Sequence, residues 1–383
     1  MFNKLGFKEN IPILLILMII CTILSFLPNP YYKTGEKAIR CKGKIMDADN
    51  SDILQYGMVK KGTQTVVLQL ISGKFKGRTL KAGNQLMGQM DRDKLFKKGD
   101  TALVVLSLDE NQNIVFVNPQ AHYRINSLIF LFAIFTAGLI LFGGWTGARS
   151  FFSFIISALI IWKLLIPAFL NGYPPVSTAF AVIILLCSII IFLVAGVNTK
   201  GFAAFAGAIL GVLTSCFLSL YFTPELNLHG AIMPFAETLL YSGYGHLDMT
   251  GVFIAGIFIC ASGAVMDLAM DVAASMDELI KKKPTLGRKD LFFSGLRISR
   301  TVVGTMTTTL LFAYSGGYVT LLMAFMAQGV PVLSMFNLIY VAAEIMKTLI
   351  GSIGLVMVGP FTALVGSFVL TPSAVRKRIN ASQ

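Results

Sequence analysis

Residues 177–222 read STAFAVIILLCSIIIFLVAGVNTKGFAAFAGAILGVLTSCFLSLYF, two apolar runs joined by a linker with a single charge, Lys200. As helix, Ser177 to Val197 and Phe202 to Phe222 each extend about 30 Å, the thickness of a bilayer's hydrocarbon core. Working outward, similar runs precede them at Ser127 to Phe142 and Phe151 to Leu170, and follow at Gly251 to Met266 and Ser299 to Met326. The stretch Val332 to Leu370 is too long for one simple span, and the charges Glu344 and Lys347 divide it. Val332 to Lys347 is therefore expected as a short or half-inserted helix and Leu349 to Leu370 as the last crossing. With Ile11 to Leu27 at the front, the expectation is a polytopic helical membrane protein with about eight crossings.

Composition agrees: 55% of the 383 residues are apolar and 13% charged, against about a quarter charged in soluble domains. Of the 32 Lys and Arg, 16 fall between Pro28 and Ile125. A net charge of +13 would suggest nucleic acid in a soluble protein. In a membrane protein a basic excess is also expected from loops facing the cytoplasm, and no nucleic-acid partner is expected. The five cysteines form no CxxC pair or disulfide framework, so no metal site is expected.

The run Ile11–Leu27 follows Lys4 and Lys8 and is followed by Pro28-Asn29-Pro30 rather than a small-residue cleavage site. It reads as an uncleaved signal anchor after a cytoplasmic segment 1–10. Charge bias then orients the chain. Expected inner segments hold Arg149, Lys200, Lys281 to Lys283, Arg288, Lys289, and Arg376 to Arg378 in a basic tail 372–383. Expected outer loops, Asn171 to Val176, Thr223 to Thr250 and Ala327 to Pro331, hold no Lys or Arg. Both termini are expected in the cytoplasm and residues 28–125 outside, ahead of a seven-helix membrane domain at 126–371.

Segment 28–125 has another texture. "KAIRCKGKIMDA", "TQTVVLQLIS", "GRTLKAGNQLM", "DTALVVLSLD" and "NIVFVN" are short, β-branched runs separated by turn signals such as Lys98-Gly99-Asp100. About five strands are expected, forming a small all-β, OB-like barrel.

Intramembrane polarity concentrates late in the chain. Asp267 and Asp271 stand at i and i+4, with Ala274, Ser275 and Glu278 on the same helical stripe. Arg297 and Arg300 open the next apolar helix, and Arg297, Thr301, Gly304 and Thr308 share a stripe there. Antiparallel packing would pair an Asp with an Arg, as a structural latch or a cytoplasmic gate. The competing account is that the acidic stripe has left the membrane and is solvated.

Thr305, Thr307, Thr308 and Thr309 with Ser315-Gly316-Gly317 make the seventh run polar. A Gly-Gly pair can unwind a helix, although packing through small residues is the commoner use. Glu344 and Lys347, at i and i+3, neutralise each other by default. Ala203, Gly207 and Gly211 form a small face for helix packing or a dimer contact. In the outer loop Glu225, His229, Glu237, His246 and Asp248 could attract cations, without metal-ligand spacing.

Three stretches together resemble the YibE/F-like family of bacterial membrane proteins: "SGKFKGRTLKAGNQL" with "KKGDTALVVL", "HYRINSLIFLFAIF", and "GIFICASGAVMDLAMDVAASMDEL". The late "AAEIMKTLIGSIGLVMVGPFTALVGS" extends the likeness, and the outer domain makes it similar to the YibE-type member. The resemblance implies a bacterial plasma membrane and a companion subunit of the YibF type. It carries no catalytic or binding residue. HExxH, GxSxG, P-loop and GxGD signatures are lacking, so no catalytic residue and no cofactor are expected.

The leading expectation is a permease or channel-like protein whose pathway involves Asp267, Asp271, Arg297, Arg300, Thr308, Glu344 and Lys347. The alternative is a membrane scaffold or receptor whose outer domain binds an external partner, the chain working as a homodimer or with its companion.

Overall fold

A computed structural model describes residues 7–27 and 38–371, with residues 7–16 as backbone only. Lys4, Pro28 to Pro30, the tail 372–383 and the side chain of Lys8 lie outside the described residues. The chain divides into two units, one holding residues 38–138 and the other residues up to Leu27 and from Leu139 onward.

The first unit is a curled antiparallel sheet of six strands: β1 (Ala38–Asp49), β2 (Ile53–Tyr56), β3 (Val59–Leu70), β4 (Thr79–Met87), β5 (Thr101–Leu108) and β6 (Ile114–His122). The ladder runs β4, β3, β1, β5, β6, with β2 on the start of β3. β1 gives its first half to β5 and its second half to β3, with a bulge between Ile45 and Asp47. At Gly43 both neighbours close in, and a Cβ there would stand 2.8 Å from Val104 Cγ2. Bulge and glycine together let one strand serve both sides of the curl.

Period-two alternation sends Val66, Leu68 and Leu70 of β3 and Ala102, Val104 and Leu106 of β5 inward, around Phe96. One end is closed by a buried amide network. Gln64 Nε2 donates to Asn50 Oδ1 (2.7 Å) and to the Phe96 carbonyl (2.8 Å). Its Oε1 accepts from Phe96 N (3.0 Å) and Asn84 Nδ2 (3.1 Å). The loop after β4 is held by Asp93, whose carboxylate accepts from the backbone N–H groups of Met87 (3.0 Å), Gly88 (2.6 Å) and Gln89 (2.9 Å).

The second unit holds α1 (Phe7–Phe26) and, from Leu139 on, the rest of α2 (Ile125–Ile160), whose first part belongs to the first unit; a π-helical turn at Ile161–Leu165 and α3 (Ile166–Leu170) follow. Then come α4 (Pro175–Val194), α5 (Thr199–Glu225), the short α6 (Ala236–Tyr241), α7 (Met249–Lys282), α8 (Arg288–Ser315), α9 (Val319–Ala327), α10 (Val332–Asn337) and α11 (Ile339–Val369). Among the described residues six segments are long and apolar enough to cross a membrane: 125–170, 175–194, 199–225, 249–282, 288–327 and 339–369.

Two of these six are irregular. Gly144 in α2 has φ 54° and ψ −127°, outside any helix. A Cβ on Gly147 would overlap the Leu139 carbonyl, whereas residues eight apart on a straight helix are separated by about 12 Å. The chain therefore reverses sharply at Gly143-Gly144. The second irregularity is a 3₁₀ turn at Gly316–Tyr318 between α8 and α9, so the Gly-Gly pair tightens the helix locally and the segment continues through it.

The expected division of 332–370 is corrected: the helix starts at Ile339, after Leu338 (φ −68°, ψ 129°), and runs unbroken through Glu344 and Lys347. Their mutual neutralisation lets the charges stay within one helix.

α5, α7 and α11 form the buried centre, and glycines set their spacing. A Cβ on Gly207 would overlap Thr362, and one on Gly354 would overlap Ser215 Oγ. On Gly211 it would stand 2.9 Å from both Val358 and Val265. The small face of α5 is thus a packing face within the chain. α8 approaches α11 in the same way, at Gly295 against Ala363 and Gly359 against Ser299. Capping starts the long helices, with Asn198 Oδ1 accepting from Gly201 N (2.9 Å) and Asp248 Oδ1 from Gly251 N (2.8 Å).

α1 packs along the later part of the α2 segment, with Leu17 against Ile156, Ile160 and Leu186. Farther along, Lys163 Nζ donates to the Leu27 carbonyl at 2.6 Å. The two stretches therefore run parallel.

Two expectations follow. Bonds from the Met87, Gly88 and Gln89 amides hold the Asp93 carboxyl below the usual carboxylate range. Its contribution to stability is present above the unfolded-state pKa and is lost as pH falls through the folded-state value. The Gly88 and Gln89 amide shifts should follow that single acidic titration, and Asp93→Asn should abolish it. In the helical unit, Gly354→Val should lower thermal stability in micelles by about 1–3 kcal/mol through overpacking. Gly138→Val, where no atom lies within 4 Å of the added Cβ, should leave it nearly unchanged.

Candidate functional site

The 3₁₀ turn at Gly316–Tyr318 carries Tyr318 to the cleft at the start of α11 that Glu344 also lines. Glu344 also pairs with Lys347 one turn on. The two side chains are 15% and 25% exposed respectively, so this pair is largely withdrawn from solvent. The Lys347 ammonium lies 5.5 Å from the centroid of the Phe253 ring. The Tyr314 hydroxyl, buried nearby, has no hydrogen-bond partner among the described residues, and Cys260 of α7 is within electrostatic reach of Glu344, Lys347 and Tyr314. Tyr314, Tyr318, Glu344 and Thr348 give polar groups to a cleft of about 200 Å³ whose walls are otherwise mainly apolar, among them Leu322 and Ile345.

This is an ion pair with one adaptable neighbour on each side. A proton or small cation arriving in the cleft competes with Lys347 for the Glu344 carboxylate, and the Tyr314 hydroxyl is free to take up a bond as the pair opens.

From this cluster a second feature leads along α7. Cys260, Gly263, Asp267, Asp271, Ala274 and Glu278 are all exposed and recur every three or four residues on one face. The stripe covers about 27 Å at 1.5 Å per residue, close to the hydrocarbon thickness. On α8, which packs against α7 through Gly295 and Met276, Arg297, Arg300, Thr301, Gly304, Thr305 and Thr308 are exposed. Ala274, Ser275, Glu278, Leu279, Lys282 and Ile298 line the groove between the two helices.

The structure therefore separates the seven expected pathway residues. Glu344 and Lys347 meet as a pair in the cleft. Asp267, Asp271, Arg297, Arg300 and Thr308 lie on the outward faces of α7 and α8. The expected latch is not formed: among the described residues no ion pair joins either Asp to either Arg. Each helix turns its charged stripe outward while burying Leu268, Val272 and Met276 of α7 and Leu291, Gly295 and Ser299 of α8.

The threonines of α8 satisfy themselves, Thr307 Oγ1 donating to the Val303 carbonyl (3.0 Å) and Thr309 Oγ1 to the Thr305 carbonyl (3.1 Å). In the loop 223–250 Asp248 is a helix cap, and no group of three His, Cys, Asp or Glu converges among the described residues. Tyr314, Tyr318 and Cys260 escaped sequence reading. The available signal was a pair of tyrosines one turn to either side of Gly316-Gly317.

Among known proteins, the family described as YibE/F-like protein matches residues 131–372. The match takes in the helices from α2 onward and stops short of the β-domain, where part of the resemblance lay. No curated protein matches. No solved structure matches.

Removing one member of the Glu344–Lys347 pair strands the other. Lys347→Met should destabilise the protein in micelles by up to about 3–5 kcal/mol, and the double substitution Glu344→Gln with Lys347→Met should recover most of that loss. Thermal unfolding of the three variants beside the parent checks the order.

Proposed function

The chain belongs to the YibE/F-like family, and from that premise we propose that it is a permease or channel-like protein whose pathway follows the polar stripe of α7 from the Glu344 cleft to Asp271. The observation that carries this reading is the outward face of α7. No large apolar side chain of α7 is among those exposed, whereas α2 exposes Leu128, Ile129, Phe130 and Leu131 as a lipid-facing helix does. Carboxylates at membrane depth cost about 2.5–3.5 kcal/mol on insertion scales and commonly mark ion or proton routes. Here Glu344, Asp267 and Asp271 follow one another along a stripe that approaches the hydrocarbon thickness once it is continued to Glu278. The 3₁₀ turn at Gly316–Tyr318 adds a local irregularity beside the cleft, at the depth where transporters place their discontinuous helices. Protons and small cations fit an acidic line best.

The same reading includes eight crossings. The reversal at Gly143-Gly144 supports counting the 125–170 segment twice, and α1 supplies the remaining one. α1 running parallel to the stretch around Ile156 to Lys163 fits two passages in the same direction with one return between them. The loop charges favour cytoplasmic termini in a bacterial plasma membrane, α1 being a signal anchor. The β-domain then lies outside the cell, and its strand order, with β4 and β6 in contact at the closing seam, favours an OB-like barrel.

Reconstitution tests the pathway. Purified full-length protein in liposomes, assayed with a pH-sensitive dye and with Na⁺ and K⁺ gradients, should show a flux that Glu344→Gln and Asp267→Asn each lower about tenfold or more, and Arg297→Ala alters. A flux indifferent to all three substitutions sinks the pathway. A stable complex with an outer partner and no flux would favour the scaffold or receptor reading instead.

A further inference from the structure

α7 and α8 present matched and opposite charges outward. α7 offers Asp267 and Asp271, α8 offers Arg297 and Arg300, all four are exposed, and none is ion-paired within the described residues. Around them the surface is small: Gly263 and Gly304 have no atom within 4 Å of an added Cβ, and Ala274, Thr301 and Thr305 are exposed. Of the large apolar side chains exposed on the molecule, α7 supplies none, and α8 supplies only Phe293 before Leu311. Such a face is unsuited to lipid, because unpaired carboxylate and guanidinium groups are expensive there. It suits another protein surface, where glycine and hydroxyl side chains let helices approach closely.

We propose that this face is the contact between two copies of the chain. A two-fold axis brings a patch against itself, so that residue i meets j and j meets i. An acidic stripe beside a basic stripe is what such an axis needs: Asp267 and Asp271 of one copy face Arg297 and Arg300 of the other, twice over. One kind of chain then satisfies all eight charges, whereas a different partner would need its own complementary pair of stripes. The Asp–Arg pairing that the sequence suggests within one chain is then made between chains, and the groove between α7 and α8 is covered by the second copy. With these carboxylates paired across the axis, a solute following the α7 stripe would have to pass between the two copies, and the assembly is tested apart from any flux.

Full-length chains carrying two different affinity tags, co-expressed and extracted in mild detergent, should co-isolate. The variant Asp267→Arg with Asp271→Arg, expressed in both tagged forms, should lose co-isolation about tenfold or more, because like charges then meet across the axis. The variant Arg297→Asp with Arg300→Asp should lose it equally. Expressed together, one reversed set on each tag, the two variants should co-isolate again to within about twofold of the parent, since all four groups of opposed residues are complementary once more. Misfolding cannot produce that rescue.

The proposal is overturned if parent chains fail to co-isolate. It is also overturned if either reversed variant still self-associates like the parent, or if the mixed variants are not rescued. Rescue only when all four reversals sit in one chain would assign the pairing to the inside of the chain. Because co-isolation is scored without any flux measurement, failure here leaves the pathway reading standing, and failure of the flux assay leaves this one.

Discussion

The helical unit depends on how closely α11 can lie against α5 and α8. Gly207, Gly354 and Gly359 mark places where a single methyl group would overlap a neighbouring residue. The space they surrender lets Ser215 Oγ reach the Ile350 carbonyl at 3.4 Å, between helices rather than along one. In a bilayer, where apolar side chains gain little by leaving lipid for protein, close contact and such hydroxyl bonds hold helices together. The central three helices are thereby fixed, and what remains on their rims is what they could not bury. On α7 that remainder is polar.

The β-domain meets the opposite requirement. It has a conventional apolar interior, including Leu68, Val104 and Leu106, each with no measurable exposure, and its polar design lies at the end of the sheet. There Gln64 is fully buried, yet both ends of its amide are bonded. A satisfied buried amide fixes a loop more specifically than an apolar contact of equal size, because stranding any of its partners carries a desolvation penalty. The loop around Phe96 is held in this way, and Asp93 holds its beginning through three backbone amides.

Much of this was legible in the chain. Runs of apolar length located every long helix, because length against bilayer thickness is a one-dimensional test. The small face Ala203, Gly207, Gly211 was legible too, since glycine acts through its own backbone, whereas for Gly316-Gly317 packing was the favoured expectation and a 3₁₀ turn is what the structure has. The strands were visible as β-branched runs, although β2 was missed: four residues, Ile53–Tyr56, are too few to show alternation. What stayed hidden needed the third dimension. Helical arithmetic placed Asp267 and Asp271 on one stripe and Arg297 with Thr308 on another, but it could not tell which stripe faced the neighbouring helix. The start of α11 was misplaced because charge was taken as a boundary, when a neutralised pair is not one. Tyr318 could not be connected with Glu344 until the 3₁₀ turn had set its direction.

The bond from Lys163 to the carbonyl of Leu27 has a mechanical meaning. Leu27 immediately follows α1, at the point where the polypeptide leaves toward its β-domain. The last turn of a helix ordinarily frays, since its carbonyls have no partners. Here an ammonium group clamps that terminus to a helix more than a hundred residues away in sequence. A force reaching Leu27 would meet a clamped post and load the stretch around Lys163 directly, instead of unwinding α1 first. The π-helical turn at Ile161–Leu165 lies under that load point, and π turns in helices are frequent at functional sites. Strain at the end of α1 is thereby passed to the one stretch between α2 and α3 where the helical ladder is already irregular.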